Sequence, residues 1–483
     1  MATLRMRQPA AAAPADRSFW LQDIAAAPAT QPLVGGERAD VVIVGGGYTG
    51  LWTALRIRDL APETRVMVLE ADHCGSGASG RNGGQVHSWF AELDQISAVV
   101  GEEEGRELCA DSVDAIAELG KLQRDGTIDM DLRLDGWLWT ASSSAQEGAW
   151  NRAVAMTEAA GANRFRQLTG EEIKQRTGSS ASYTGVVEPN AGTVHPAKLA
   201  TGLRDLAIAR GVVIHERSPV TEIVPGRTCL VRTAQGEARA EKVVLAANAW
   251  LSALPELRRH LYVVASQVVA TAEIPDLLDR IGWRDGASIC DSQRQVLYYQ
   301  RTAKGRVVFG RGSGNIAYAG NFGQSFNRSP QHGRENIREL GRVYPELQGV
   351  PIDYDWAGPI DCVPEHVPVF DQLKGHPNIV FGMGYNGTGI AQTPIGGRIL
   401  ASLVLERKDR WSGSGLVGLD RRKTMPPEPF RYIGAKLVRA AVARRNDAEI
   451  RDEKPGMLTK LLSECAPGGD KPVCLHRRRG SLE

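Results

Sequence analysis

The run Val41-Val-Ile-Val44 is apolar at every position, the pattern of a strand buried on both faces. It breaks at Gly45-Gly-Gly47-Tyr48-Thr49-Gly50, and a helix is expected from about Tyr48 to Leu60. Val66-Met-Val-Leu69 then reads as a second strand, closed by Glu70 and Ala71. Each glycine has a task at this spacing. Gly45 permits the tight turn, Gly47 lets the backbone approach a pyrophosphate, and Gly50 lets the helix pack closely on the sheet. The helix N-terminus presents free N–H groups and the positive end of its dipole to negative charge. Glu70 follows Gly50 by 20 residues, the distance expected of a carboxylate that accepts hydrogen bonds from a ribose. Strand, turn, helix, strand and acid together describe a pocket for the ADP half of a dinucleotide. They do not distinguish NAD from FAD.

The pattern changes several times further on. A second glycine-rich stretch, Gly75-Ser-Gly77-Ala78-Ser79-Gly-Arg81-Asn82-Gly83-Gly84-Gln85, follows at once. Leu93 to Arg124 and residues 145 to 160 have helical spacing, and Thr169 caps a helix start ahead of two acids. Pro196 suits the first turn of another helix. Strands are expected at Val212–His215, Val220–Val224 and from Lys242, the last running into Ala247-Asn248-Ala-Trp250. That succession predicts a return to the first sheet. Residues 261 to 315 are strand-rich and suit a separate, largely antiparallel sheet. Asn378 to Ile390, with the apolar helix Gly396 to Leu405, forms a second strand–glycine turn–helix unit. The expected division is an N-terminal extension (1–38), a discontinuous nucleotide-binding domain (39–95, 190–260 and 355–405), a substrate domain (96–189 and 261–354) and a basic C-terminal extension (406–483). Phe19 to Ile24, within the first segment, is expected to be a short helix pinned to the surface.

A chain of 483 residues has ample material for a core and for two or three domains. Its net charge of +2 hides an asymmetry, because from Arg407 onward 18 Lys and Arg face 10 Asp and Glu. The preceding body is therefore net acidic. Docking of the basic tail on that body is favoured over contact with nucleic acid or an acidic membrane. Seven cysteines, including Cys74, Cys109, Cys290 and Cys474, form no CxxC pair, which fits reduced thiols and a cytoplasmic protein. No metal-ligand spacing is present. No secretory h-region follows Arg5 and Arg7, and no apolar stretch reaches the ~20 residues of a membrane span.

Three blocks in this order resemble the FAD-dependent oxidoreductases of the D-amino-acid oxidase/glycine–sarcosine oxidase superfamily, and within it the gamma-glutamylputrescine oxidases. They are the Gly45–Gly50 turn with Glu70, the Gly75–Gln85 block, and Trp356-Ala-Gly with Gly384-Tyr-Asn-Gly387-Thr388-Gly389-Ile390. The resemblance covers roughly residues 39 to 405. It implies an α/β chain (α+β overall), with a Rossmann-like FAD-binding domain and a mainly antiparallel-sheet substrate domain. It implies FAD, with backbone amides from Ala78 to Gly84 along the ring and Gly387 to Ile390 at its pyrimidine edge. Val220 matches the position beside adenine, and Ala247, Asn248 and Trp250 the turn beside the pyrophosphate. No cysteine or histidine is placed for a covalent link, so the FAD is expected to be non-covalent.

The chemistry implied is hydride transfer from a carbon next to an amine nitrogen to flavin N5. The resulting imine hydrolyses, and oxygen reoxidises the flavin. Arg81 is a candidate for positive charge near the ring. Tyr298 and Tyr299 are candidates on the substrate-domain floor. Alternation sends Tyr299 and Arg301 to one face and Tyr298 to the other, without saying which faces the pocket. Trp356 could be an aromatic wall or a core residue. Relatives that oxidise small amino acids keep a basic residue after the last glycine turn, where this chain has Ala391-Gln392. That departure favours an amine or a longer conjugate, such as a gamma-glutamylated polyamine. A flavin dehydrogenase with a quinone or carrier acceptor, and a non-catalytic flavoprotein subunit, are the competing readings.

Overall fold

The computed structural model describes residues 3–8, 13, 16–25, 30–312 and 314–467. Cys474 and the end of the basic extension lie outside the described residues. Two large sheets organise the chain. The first has nine strands and a parallel centre, in the order Val213–His215, Val66–Leu69, Gly35–Val44, Gly236–Leu245 and His376–Met383. Antiparallel strands extend it on one side, ending in a two-residue N-terminal strand, Leu4–Arg5, on Glu222–Val224. The strands that expectation placed at 41–44 and 66–69 sit at its middle. Val42, Ile43, Val68 and Val244 have no exposed surface, each contributing roughly 1.5–3 kcal/mol by burial. The predicted return of the chain to this sheet is observed.

Helix Tyr48–Leu60 runs over one face and meets helix Thr393–Val404, so close that a Cβ on Gly397 would stand 2.8 Å from Trp52 Cβ. The later helix starts at Thr393 rather than Gly396, because Pro394 fits its first turn. The second sheet has eight strands, from Ile352–Cys362 and Tyr262–Thr271 to Arg166–Thr169. All its pairs are antiparallel except Ser288–Asp291 with Trp137–Ala141. The α/β class with a mainly antiparallel second sheet is thus the fold found.

Two expectations about the ends need correction. Helix Phe19–Asp23 is not pinned to the surface. Phe19 and Trp20 are buried among Val268, Ala270, Val308 and Trp356. The basic extension does dock on the body, but with mixed polarity. Arg410 pairs with Asp111 as charge balance predicts. Further on the acids come from the extension: Glu449 binds Arg294 at 3.1 Å, and Asp452 accepts from Ser144 Oγ at 2.6 Å. No helix among the described residues is long and apolar enough to cross a membrane. Among the described residues no group of three His, Cys, Asp or Glu could hold a metal.

Candidate functional site

The first glycine turn lies at the carboxyl end of the central parallel strands, where α/β sheets bind their ligands. Gly45 has φ +113°, and a Cβ there would stand 2.5 Å from the Ala246 carbonyl oxygen. Gly50 serves a purpose beyond the expected helix–sheet packing: its Cβ would lie 2.0 Å from the Gly45 carbonyl oxygen and 3.3 Å from Ile43 Cγ2. Its smallness lets the turn close on itself. Gly47 differs. Among the described residues the one atom within 4 Å of its virtual Cβ is the side-chain oxygen Ser79 Oγ, at a close 3.0 Å, and no backbone crowds the position. Glu70 accepts from Gly46 N at 2.7 Å and from Asp72 N at 3.0 Å. Burial raises its pKa and these N–H bonds oppose the rise.

Tyr48 and Thr49 open the helix with their side chains turned inward. The Tyr48 hydroxyl donates to Pro196 O, and its N–H donates to Ser79 Oγ at 2.9 Å. Ala71 is half-buried beside Glu70. Val220 is buried, its carbonyl already accepting from Gln8 Nε2 at 2.8 Å. Trp250 stands 3.7 Å from the virtual Cβ of Gly77 and packs against Phe322.

The second glycine block folds into a short 3-10 turn, Ala78–Gly80, and then a loop whose carbonyls all face into the protein. Gly80 O accepts from Ser18 Oγ at 2.5 Å, Arg81 O from Trp356 Nε1 at 2.9 Å and Asn82 O from Trp20 Nε1 at 2.8 Å. Gly83 O accepts from Gln300 Nε2 at 2.5 Å, and Gly84 O from Val194 N at 2.8 Å. The Asn82 side chain ties the loop internally, donating to Ala78 O and Ser79 O and accepting from Gly84 N. Gln85 bonds Ile289 O and accepts from Cys290 Sγ, joining the loop to the second sheet. The N–H groups of Asn82 and Gly83 make no hydrogen bond among the described residues.

Arg81 is a clamp, not a free cation. Its guanidinium donates to Ser76 O, Asn327 Oδ1 and Ala357 O at 2.9–3.1 Å, and burial brings its pKa down to about 10. Trp356 is a core residue, fully buried, whose indole holds the Arg81 carbonyl. The two tyrosines separate as alternation requires. The Tyr298 ring lies against the loop, 2.7 Å from the virtual Cβ of Gly83, and its hydroxyl meets Ser266 Oγ at 2.6 Å. Burial pushes the Tyr298 phenol up to about 12. Tyr299 is on the opposite face, packed on Trp283, Phe309 and Tyr344, and does not join the site.

The last glycine turn is held by a residue that sequence reasoning missed. Asp361, fully buried in strand Ile352–Cys362, accepts from Gly384 N and from Asn248 Nδ2 at 2.7 Å. It joins the turn after strand Gly236–Leu245 to the start of the last glycine turn at Gly384, and burial pushes its carboxyl up to about 7. Gly387 has φ +94°, and Thr388 Oγ1 accepts from Gln392 Nε2 at 2.7 Å. Gly389 O accepts from Thr393 N, and Ile390 is buried. An acid alone in a strand carries no local signal. Ser18 and Trp20, in an extension without periodicity, were missed for the same reason.

These residues fit FAD. No backbone crowds Gly47 at the helix N-terminus, a carboxylate waits at the ribose position, and two peptide N–H groups without a partner among the described residues lie in a loop with every carbonyl engaged elsewhere. Comparison with known proteins agrees. Gamma-glutamylputrescine oxidoreductase of Escherichia coli is 32% identical over 400 residues, 81% of this chain and 87% of that protein. Glycine oxidase from Geobacillus kaustophilus superposes with a TM-score of 0.62 at 20% identity, over 77% of this chain and 96% of that one. L-proline dehydrogenase from P. horikoshii gives 0.63 at 18% identity, over 78% and 96%. The family model for FAD dependent oxidoreductases matches residues 40–403. That span takes in both glycine loops, the ribose-position carboxylate and Asp361, and by it the chain belongs to the DAO family of FAD-dependent oxidoreductases.

Proposed function

We propose that this chain oxidises the C–N bond of an amine, with a gamma-glutamylated polyamine or related amine as substrate and oxygen as acceptor. The observation that carries the reading is the 32% identity, along most of both chains, to gamma-glutamylputrescine oxidoreductase. The site supports an amine over a small amino acid. After the last glycine turn stand Ala391 and Gln392, both buried, with Gln392 donating to Thr388 rather than offering a cation to a carboxylate. Bound non-covalently, FAD supplies the two-electron acceptor. The chain's own part is to hold substrate against the Gly80–Gly84 loop, with Tyr298 of the second sheet packed against that loop at Gly83. The carbon next to nitrogen loses a hydride equivalent, and water hydrolyses the imine to an aldehyde, releasing ammonia from a primary amine or an amine from a secondary one. The division into a discontinuous FAD domain and a substrate domain goes with this reading, as does Tyr298 at the substrate face.

The test is anaerobic mixing of the purified holoprotein with gamma-glutamylputrescine, free putrescine, glycine and proline. The flavin absorbance is followed, then peroxide is measured on admitting air. Bleaching by the conjugate first, with peroxide afterwards, is the expected result. Bleaching by glycine or proline alone would refute the substrate class. Turnover with dye acceptors but no peroxide would refute oxygen as the acceptor.

A further inference from the structure

The N-terminal segment lies outside the part matched by the family, yet it reaches the flavin loop. We propose that Trp20 is a positioning residue of the FAD site, aiming a peptide N–H group of the Gly80–Gly84 loop at the cofactor, with Ser18 bracing the peptide that leads into it. The argument rests on the geometry of a trans peptide. The carbonyl of one residue and the N–H of the next point in opposite directions across a single rigid plane. Holding the oxygen therefore aims the hydrogen.

The two N–H groups of the loop without a partner among the described residues belong to Asn82 and Gly83. The carbonyls across those same two planes are Arg81 O and Asn82 O. Each is held by a buried indole, Trp356 Nε1 at 2.9 Å and Trp20 Nε1 at 2.8 Å. One plane is thus fixed by the matched part of the chain and the other by the extension. Ser18 holds the plane before them through Gly80 O; the N–H of that plane, on Arg81, already donates to Ala78 O, so Ser18 braces the approach to the loop, and Leu21 Cδ2 stands 3.0 Å from the virtual Cβ of Gly80.

The short helix is itself well anchored. Trp20 packs edge-on to His195 with centroids 4.8 Å apart, Phe19 lies 5.2 Å from the Tyr354 ring, and Asp23 binds Lys304 at 2.7 Å. A donor on so fixed a mount resists rotation of the Asn82–Gly83 plane. Peptide N–H groups preset in this way stabilise electron density on a ligand without reorganising when it arrives. The extension therefore acts on flavin retention and on reduction potential. The proposal rests on FAD occupying the family site.

The test uses full-length holoprotein and reads FAD release by the gain in flavin fluorescence on dilution, together with the flavin reduction potential. Trp20→Phe keeps a ring in place and removes only the indole N–H. It is expected to release FAD about tenfold faster, the consequence of losing one hydrogen bond of about 1.4 kcal/mol, and to lower the potential. Ser18→Ala removes the Oγ donor, shifts release in the same direction, and serves if Trp20→Phe does not fold. Trp283→Phe is the control, since that buried indole N–H has no acceptor among the described residues and belongs to another cluster. It should leave both readouts unchanged. Wild-type release and potential in Ser18→Ala and in any folded Trp20→Phe would overturn the proposal alone, as would equal effects in Trp283→Phe. A wild-type chain that binds no flavin would overturn the cofactor assignment and the proposal together.

Discussion

Gly47 and Gly50 belong to one motif, but the structure gives them different work, and alanine at each separates the two. At Gly50 the added methyl meets a backbone oxygen at 2.0 Å. An ordinary carbon–oxygen contact is over 1 Å longer, and neither the Gly45 turn nor the helix can retreat. Gly45 is fixed by φ +113° and by the neighbouring Ala246 carbonyl, and the helix by its packing on Thr393–Val404. Overpacking of this kind costs 1–3 kcal/mol and occasionally more, so Gly50→Ala should lose about 3 kcal/mol with or without FAD. At Gly47 the methyl meets only one side-chain oxygen, Ser79 Oγ at 3.0 Å, which can yield by a few tenths of an ångström, and φ is an unremarkable −82°. Gly47→Ala should therefore unfold like wild type when flavin-free, within about 1 kcal/mol. It should bind FAD at least tenfold more weakly, a loss of about 1.4 kcal/mol or more, because the methyl stands where the pyrophosphate meets the helix. Urea denaturation of the flavin-free chains and fluorescence titration with FAD measure the two quantities. A Gly50→Ala protein of wild-type stability, or a destabilised flavin-free Gly47→Ala, would refute this division of labour.

Three further outcomes follow from the same geometry. Tyr298→Phe should lower kcat/KM for the amine by about tenfold, one hydrogen bond's worth, with FAD release unchanged. Tyr299→Phe should change neither, and equal effects in steady-state kinetics would count against Tyr298 at the substrate face. Arg81→Lys cannot reach Ser76, Asn327 and Ala357 together. Stranding buried acceptors should cost about 2–3 kcal/mol in urea denaturation, and a loss under about 0.5 kcal/mol would show that the clamp is dispensable. Asp361, raised from 3.8 to about 7 by burial, holds its proton more tightly when folded than when unfolded. Its contribution is full below about pH 4 and is lost as pH rises to about 7, amounting to about 4 kcal/mol at most. Buried histidines such as His87 and His366 slope the other way in the same window, so the difference curve between wild type and Asp361→Asn is the measurement. Parallel curves from pH 4 to 8 would refute the shift.

What the sequence made legible was local. The strand at 41–44, helix Tyr48–Leu60 and strand Val66–Leu69 announce themselves through period and glycine punctuation, and they fold as read. The antiparallel block after residue 261 was legible in the same way. Alternation separated Tyr298 from Tyr299. It could not say which faced the loop, because both faces of that sheet are covered. Illegible features depend on partners far along the chain. Trp20 finds its acceptor at Asn82 and its neighbour at Trp356, and Asp361 finds donors at Asn248 and Gly384. Arg81 reads as a positive charge near the ring, and not as a clamp, because nothing nearby in sequence hints at Asn327 and Ala357.

The long parallel register between Gly35–Val44 and Gly236–Leu245 also bears on synthesis of the chain. As the polypeptide leaves the ribosome, Val66–Leu69 soon covers one side of the central strand. The other side keeps its N–H and C=O groups and its apolar residues open until residue 236 has emerged. An uncovered strand of Val41-Val-Ile-Val44 is a template for pairing with other chains. The cofactor turn beside it shares that delay, since Ala246 is one wall of Gly45. Expression at lowered temperature or with chaperones should accordingly raise the soluble yield of the whole chain, and chains truncated before Leu245 should aggregate.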